Sequence, residues 1–203
     1  MQTMRTSFIV LLLATAAAVG QVPSPAGAQS NNSLGEIRIA GSPAWKAISL
    51  GTFGSTYALF DALDAAGIHV GEMAAEALHR PAFTIGQAQT NLQLVVLSAS
   101  ELGINEPVSL ATLYSRARRH GYELCPAEVA VQLPLQYRGQ QVGEFLNIAM
   151  EPIASYEDES IGLSVGNGGA GLMIVGQPRS RADLVDPSAR FVFVRPGQIA
   201  TDA

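Results

Sequence analysis

Two carboxylates in the second half of the chain are the first candidates for chemistry. Glu128 and Glu144 flank a segment that is predicted to fold back on itself, so folding could bring them together. Two carboxyl groups roughly 5–10 Å apart can hydrolyse a glycosidic bond by acid–base catalysis. The alternative, which we favour, is structural: Glu128 caps a turn or pairs with an arginine, and Glu144 faces solvent. Four nearby polar residues are candidate binding residues, namely Gln132, Tyr137, Gln140 and Glu151.

The other nucleophiles and metal ligands of the chain give weaker signals. Cys125 is the only cysteine, so neither an intramolecular disulfide nor a cysteine-based metal cluster can form within the chain. Its apolar surroundings predict a buried structural thiol, because a nucleophilic thiol would need a histidine base beside it. His69 and His79 are ten residues apart, which is not a same-face spacing in one helix. The sequence therefore predicts no metal site and no cofactor.

A glycine-rich stretch has the spacing of a dinucleotide-binding loop. In "SVGNGGAGLMIVG", residues 164–176, the glycines follow the pattern G-x-G-x-x-G. A dinucleotide loop needs a helix to open at it, because the helix N-terminus holds the pyrophosphate. The residues after Gly171 are a short apolar run that ends at Pro178, which is typical of a strand. We therefore predict a hairpin turn in which Gly168 and Gly169 supply positive φ angles.

The N-terminal segment predicts export. Arg5 precedes a run of 13 residues, 7–19, that is dominated by apolar side chains, and the small residues Ala26-Gly27-Ala28 follow. This is the pattern of a secretory signal peptide, with cleavage after Ala28. The run is too short for a membrane span, which needs about 20 residues. We expect a periplasmic or secreted protein with no stable membrane insertion after cleavage.

The predicted mature chain has the size of one domain and an acidic balance. Removal of residues 1–28 leaves 175 residues, and the loss of Arg5 leaves 11 basic against 17 acidic side chains, a formal charge of −6. This length suits a single core. Nucleic-acid binding is disfavoured because it calls for a basic stripe. The expected organisation is a signal peptide at 1–28, a flexible leader at 29–35 and one domain at 36–203.

Hydrophobic periodicity predicts helices mainly in the first half of the chain and strands mainly in the second. Helices are predicted at 55–66, 71–80 and 109–121. Strands are predicted at 36–40, 44–53, 92–97, 129–137, 144–153, 160–165, 171–176 and 190–194. The strands at 129–137 and 144–153 are expected to form a hairpin, although Pro126 could instead start a single helical turn. The fold class is α+β, with N-terminal helices packed on a C-terminal, mainly antiparallel sheet.

Two segments of this chain carry a family resemblance. They are "LCPAEVAVQLPLQY", residues 124–137, and "GEFLNIAMEPI", residues 143–153. They resemble the blocks "LCPAEVGPQLRLQY" and "GEWL-x-IAMEPI" of a widespread family of small, uncharacterised bacterial proteins. The chain departs from that pattern at Ala130-Val131 and at Pro134, where the family has Gly-Pro and Arg. The resemblance implies one domain and no particular activity.

The sequence is compatible with two classes of function. The first is an exported, non-catalytic domain that binds a small ligand, an envelope polymer or a protein partner. The alternative is a carboxylate-dependent hydrolase that acts on envelope or extracellular glycans. We prefer the first because the sequence shows no catalytic constellation; for example, it contains no G-x-S-x-G elbow. Whether the protein is an enzyme is left open at this point.

Export should remove residues 1–28, because the charged start, apolar run and small-residue site form a complete signal. Intact-mass analysis of the protein recovered from the periplasm or the medium is expected to show a chain that begins at Gln29. A species that begins at Met1 would contradict the predicted export.

Overall fold

The computed structural model describes residues 43–157 and 159–195. The signal peptide, the leader and the strand predicted at 36–40 lie outside these residues. The described helices are α1 Thr56–Ala65, α2 Glu72–His79, α3 Leu110–Arg119 and α4 Val129–Gln136. The described strands are β1 Lys46–Leu50, β2 His69–Val70, β3 Thr90–Ser98, β4 Val108–Ser109, β5 Phe145–Ile148, β6 Ile153–Ala154, β7 Ser160–Asn167, β8 Leu172–Pro178, β9 Leu184–Val185 and β10 Arg190–Arg195.

Eight of these strands form one mixed sheet. Its order is β1-β3-β10-β5-β7-β8-β2, with β6 paired to β7, while β4 and β9 pair separately. The pairs β10–β5 and β8–β2 are parallel, and the other pairs in the sheet are antiparallel. The fold is therefore α+β, as predicted. The finer prediction was wrong, because the sheet is mixed and α4 lies in the second half of the chain.

Alternation along the strands divides the apolar side chains between two clusters. On β10, Val192 and Val194 belong to the cluster that contains the buried residues of α1, α2 and α4. Phe191 and Phe193 belong to the second cluster, which contains the buried residues of α3. Successive side chains on a strand point to opposite faces. The sheet is thus covered by three helices on one face and, over β3 and β10, by α3 on the other.

Local signals located the helix starts well. Ser55 caps α1 by accepting a hydrogen bond from the backbone N–H of Ala58, and Ser109 caps α3 in the same way through Thr112. A side-chain oxygen at this position satisfies one of the N–H groups that the first helical turn leaves without a partner. The predicted first residues of these two helices, 55 and 109, are the caps, and the helices begin at the next residue in each case.

The segment predicted as a strand at 129–137 is instead the helix α4. Val129 to Pro134 are all buried, so the apolar residues surround the helix and hide its period. The apparent period of two arose because Ala130, Gln132 and Pro134 alternate with larger apolar residues. Pro134 cannot donate a hydrogen bond to the turn before it, and the helix ends two residues later. The hairpin predicted with 144–153 is also wrong, because β5 pairs with β10 and β7.

The glycine stretch is a hairpin turn, as predicted. The strands β7 and β8 pair antiparallel, with Asn167 opposite Leu172, and no helix follows the glycines. The Asn167 side chain accepts a hydrogen bond from the Gly169 N–H at 3.1 Å. The φ angles of Gly169 and Gly171 are 87° and 131°, whereas Gly168 is not among the glycines with positive φ, so that part of the prediction was wrong. The helix that a dinucleotide-binding loop needs does not follow this turn, because β8 does.

The thiol of Cys125 is buried, as predicted. The side chain is 5 % exposed, and its Sγ donates to the carbonyl oxygen of Val192 at 3.3 Å. Burial raises the pKa of the Cys125 thiol far above its usual range. The thiolate is the reactive form. Burial therefore protects this thiol in two ways, because reagents cannot reach it and because it does not ionise readily.

Cys125 should therefore react with a maleimide only when the core opens. We expect labelling at least about 10³-fold slower than that of an exposed thiol, since opening a core costs several kcal/mol. The matched control is Tyr57→Cys in a Cys125→Ser background, because Tyr57 is 75 % exposed. Mass spectrometry of timed samples gives both rates. Equal rates without denaturant would contradict a buried Cys125.

Candidate functional site

Three polar side chains form a ladder along one face of α4. Glu128, Gln132 and Gln136 are spaced by four residues, and such residues are neighbours on a helix surface. The Nε2 of Gln132 donates to Glu128 Oε1 at 2.9 Å, and the Nε2 of Gln136 donates to Gln132 Oε1 at 3.0 Å. We call these three residues the polar ladder.

Glu128 ties two loops to the start of α4. Its side chain is only 1 % exposed. Oε1 accepts a hydrogen bond from the Gly51 N–H at 2.8 Å, and Oε2 accepts one from the Gly86 N–H at 2.7 Å. Hydrogen bonds to a carboxylate are about twice as strong as neutral ones. Gly51 is required there, because it has a φ of 66° and an added Cβ would lie 2.3 Å from the Ala88 carbonyl oxygen.

The other end of the polar ladder covers the free edge of β1. The Ser49 N–H donates to Gln136 Oε1 at 2.9 Å, and Gln136 Nε2 donates to the Ser49 carbonyl oxygen at 2.8 Å. The amide thus makes the two hydrogen bonds that a neighbouring strand would make. Gln132 adds a bond from Nε2 to the Thr52 hydroxyl at 2.8 Å. Covering an edge strand prevents another chain from pairing with it.

Tyr137 lies at the end of α4 among aromatic and charged side chains. Its ring meets Trp45 edge-on at a centroid distance of 5.0 Å, and Lys46 Nζ lies 4.5 Å from its centroid. Burial and the negative charge of Glu144 raise the pKa of Tyr137, while Arg190 opposes the rise. Tyr137 and Glu144, a candidate binding residue and a candidate catalytic residue, are therefore close neighbours.

Glu144 and Gln140 have mainly structural contacts. Glu144 Oε1 accepts from Arg190 at 3.2 Å, and its buried Oε2 has no hydrogen-bond partner among residues 43–157 and 159–195. The buried Gln140 donates to the backbone carbonyl oxygens of Glu144 and Val165 at 3.2 and 3.3 Å. Gln140 thereby fixes the segment that enters β5.

The two candidate catalytic carboxylates lie at opposite ends of α4. Glu128 is the residue before the helix, and Glu144 neighbours Tyr137, the residue after it. A helix of eight residues is about 12 Å long. Two open grooves of about 540 Å³ are lined by other residues, one around Asp61, Asp64 and His69 and one around Arg118 and Glu123. Neither groove is lined by Glu128 or Glu144.

Glu151 forms an exposed ion-pair group. Its Oε1 accepts from Arg118 at 3.3 Å, and its Oε2 accepts from Arg181 at short range. All three side chains are at least half exposed, so the pairs are screened by solvent and contribute little to stability. This candidate binding residue is separate from the polar ladder.

A second polar group lies on the face of β7 that is turned away from α4. Ile161, Leu163 and Val165 belong to the first cluster, and the alternating Gly162, Ser164 and Gly166 face the other side. No residue of β7 or β8 is part of the second cluster around α3. We call this surface, which the second cluster does not cover, the open face, and its side chains include Phe145, Asn147, Ser164, Gln177 and Arg179.

The open face is organised around one amide oxygen. Asn147 Oδ1 accepts from Ser164 Oγ at 3.2 Å, from Gln177 Nε2 at 3.2 Å and from Arg179 Nη2 at 3.1 Å. Asn147 Nδ2 donates to the Arg190 carbonyl oxygen at 3.0 Å. Ser164 is completely buried beneath this network. These residues form no short sequence motif, because strand register alone brings them together.

Phe145 continues the open face toward the hairpin turn. Its side chain is 46 % exposed and lies directly over Gly166, where an added Cβ would be 2.6 Å from Phe145 Cδ2. At the other end, Arg179 lies over Gly162, where an added Cβ would be 2.9 Å from Arg179 Cβ. Both glycines are therefore needed to let these side chains lie flat on β7.

In residues 43–157 and 159–195, no three His, Cys, Asp or Glu residues are grouped in a way that could hold a metal ion. Within the same residues, every helix is too short or too polar to cross a membrane. Comparisons with protein-family models, curated proteins and solved structures give no match. The function is therefore inferred from the geometry of this chain.

Glu128→Gln should lower the free energy of unfolding by about 1–3 kcal/mol, because it leaves a buried donor without an acceptor. The three donors around Glu128 need two acceptor oxygens, and glutamine has one. The matched control is Glu106→Gln at an exposed position. Urea unfolding measures both variants. Equal midpoints would show that Glu128 does not hold the loops.

Proposed function

We propose that this chain is an exported, non-catalytic binding domain whose ligand lies on the open face. The observation that carries the proposal is a network of amide, hydroxyl and guanidinium groups on a part of the sheet that the second cluster leaves uncovered. Ligand sites combine apolar surface with a few placed polar groups. Phe145 supplies the apolar part and Asn147, Gln177 and Arg179 the polar part.

The positions of the carboxylates favour binding over hydrolysis. The alternative function needs two carboxyl groups on either side of one bond. Glu128 is buried and bonded to backbone N–H groups, and Glu144 lies beyond the far end of α4. Glu151 is paired with two arginines. None of these three contacts another of them in the described structure.

The shape of the open face suits an extended ligand. Phe145 lies over Gly166 and Arg179 over Gly162, so the two side chains are four residues apart along β7. At about 3.3 Å per residue, the row is roughly 13 Å long. A segment of an envelope polymer fits this row better than a compact metabolite does, because a compact molecule would contact only one end.

The mature chain should bind an insoluble envelope polymer, such as purified peptidoglycan, without releasing soluble fragments. Phe145→Ala should weaken binding by about tenfold, as expected when an interface aromatic is removed. The control is Tyr57→Ala, since Tyr57 is exposed on α1, on the opposite side of the sheet. Co-sedimentation measures the binding, and a reducing-sugar assay measures release. Fragment release that is lost in Glu144→Gln would instead support the hydrolase.

A further inference from the structure

Several hydrogen-bond donors of the open face share one neutral acceptor. Three donors converge on Asn147 Oδ1, although a carbonyl oxygen has two lone pairs. Gln177 Nε2 also donates to Ser164 Oγ at 3.4 Å. The donors include a cationic guanidinium, and negatively charged oxygens on a ligand would accept from Arg179 and Gln177 more strongly than this neutral amide oxygen does.

The Arg179 side chain has more hydrogen-bond donors than the described structure uses. A guanidinium carries five N–H groups, and the one hydrogen bond of the Arg179 side chain in the described structure uses Nη2. The ion pairs among the described residues do not include Arg179. Its nitrogen atoms are also not among the buried atoms that lack a partner. Among the residues that the structure describes, the other N–H groups of Arg179 have no hydrogen-bond or ion-pair partner.

The position of Arg179 is fixed before any ligand arrives. The first carbons of its side chain lie against Gly162, and its backbone N–H donates to the Ser160 carbonyl oxygen at 2.7 Å. The side chain is only partly exposed. A half-buried, oriented guanidinium loses little conformational freedom on binding and is less screened than a surface one.

We propose that Arg179, together with the side-chain amides of Asn147 and Gln177, binds an oxyanion, a carboxylate or a phosphate, on the ligand. The proposal rests on the proposed function, because the rest of the ligand lies along the open face toward Phe145. The planar guanidinium can make two parallel hydrogen bonds to either oxyanion. The ligand class is thus an extended, acidic molecule such as an acidic glycan.

Three sugars that differ at one carbon test this inference: glucose, glucuronate and glucose 6-phosphate. Titrations are followed by the NMR signals of the Asn147 and Gln177 side-chain amides. We expect at least one acidic sugar to bind about tenfold or more tightly than glucose, and the preferred one identifies carboxylate or phosphate as the natural group. The preference should fall as salt is added.

Arg179→Gln should abolish the preference for the acidic sugar, because glutamine has neither the charge nor the planar fork of the guanidinium. Arg179→Lys keeps the charge but lacks the planar fork, so it should retain only part of the preference. The matched control is Arg119→Gln, which removes the same charge from an exposed position on α3 and should retain it fully. Thermal unfolding of each variant checks that it is folded.

Two results would overturn the inference: equal affinity for all three sugars in the unmodified protein, or a preference that persists in folded Arg179→Gln. Equal affinity with shifts on the open face would leave the proposed binding function in place. Tight binding of an acidic sugar with no binding of any envelope polymer would instead support the oxyanion site and contradict the proposed polymer ligand.

Discussion

The buried carboxylate of Glu128 is the interaction on which the arrangement around α4 depends. It accepts hydrogen bonds from the backbone N–H groups of Gly51 and Gly86, which lie in two loops that are distant in sequence. These bonds fix both loops to the start of one helix. With that end fixed, Gln136 reaches Ser49 on β1. A buried charge without such donors would be costly. The helix, the loops and the first strand therefore have to assemble together.

Much of the fold could be predicted from the sequence because its signals are local. The caps at Ser55 and Ser109 and the alternation in β7 and β10 each lie within a few residues. The exception is α4, in which Val129 to Pro134 are all buried, so that no apolar stripe is visible in the sequence. Its helical signal is the four-residue spacing of the polar ladder, which a search for apolar periodicity misses.

The candidate site was harder to predict for a different physical reason. The sequence indicates Glu128, Gln132 and Glu144 as candidates because polar residues lie close together in that part of the chain. In the structure, however, Glu128 and Gln132 hold other parts of the chain in place. Asn147, Ser164 and Gln177 lie on three strands and meet only through strand register. Register depends on the whole sheet, so no short motif reports it.

The cation over the Tyr137 ring has a practical consequence for handling the protein. Lys46 is the only lysine in the chain, because the other 11 basic residues are arginines. Its side chain extends over Tyr137 at the end of α4, on the side of the sheet opposite the open face. Amine coupling to a sensor surface or a fluorophore therefore has one side-chain target besides the N-terminal amine. Attachment through the Lys46 side-chain amine leaves Arg179 and Phe145 turned away from the support.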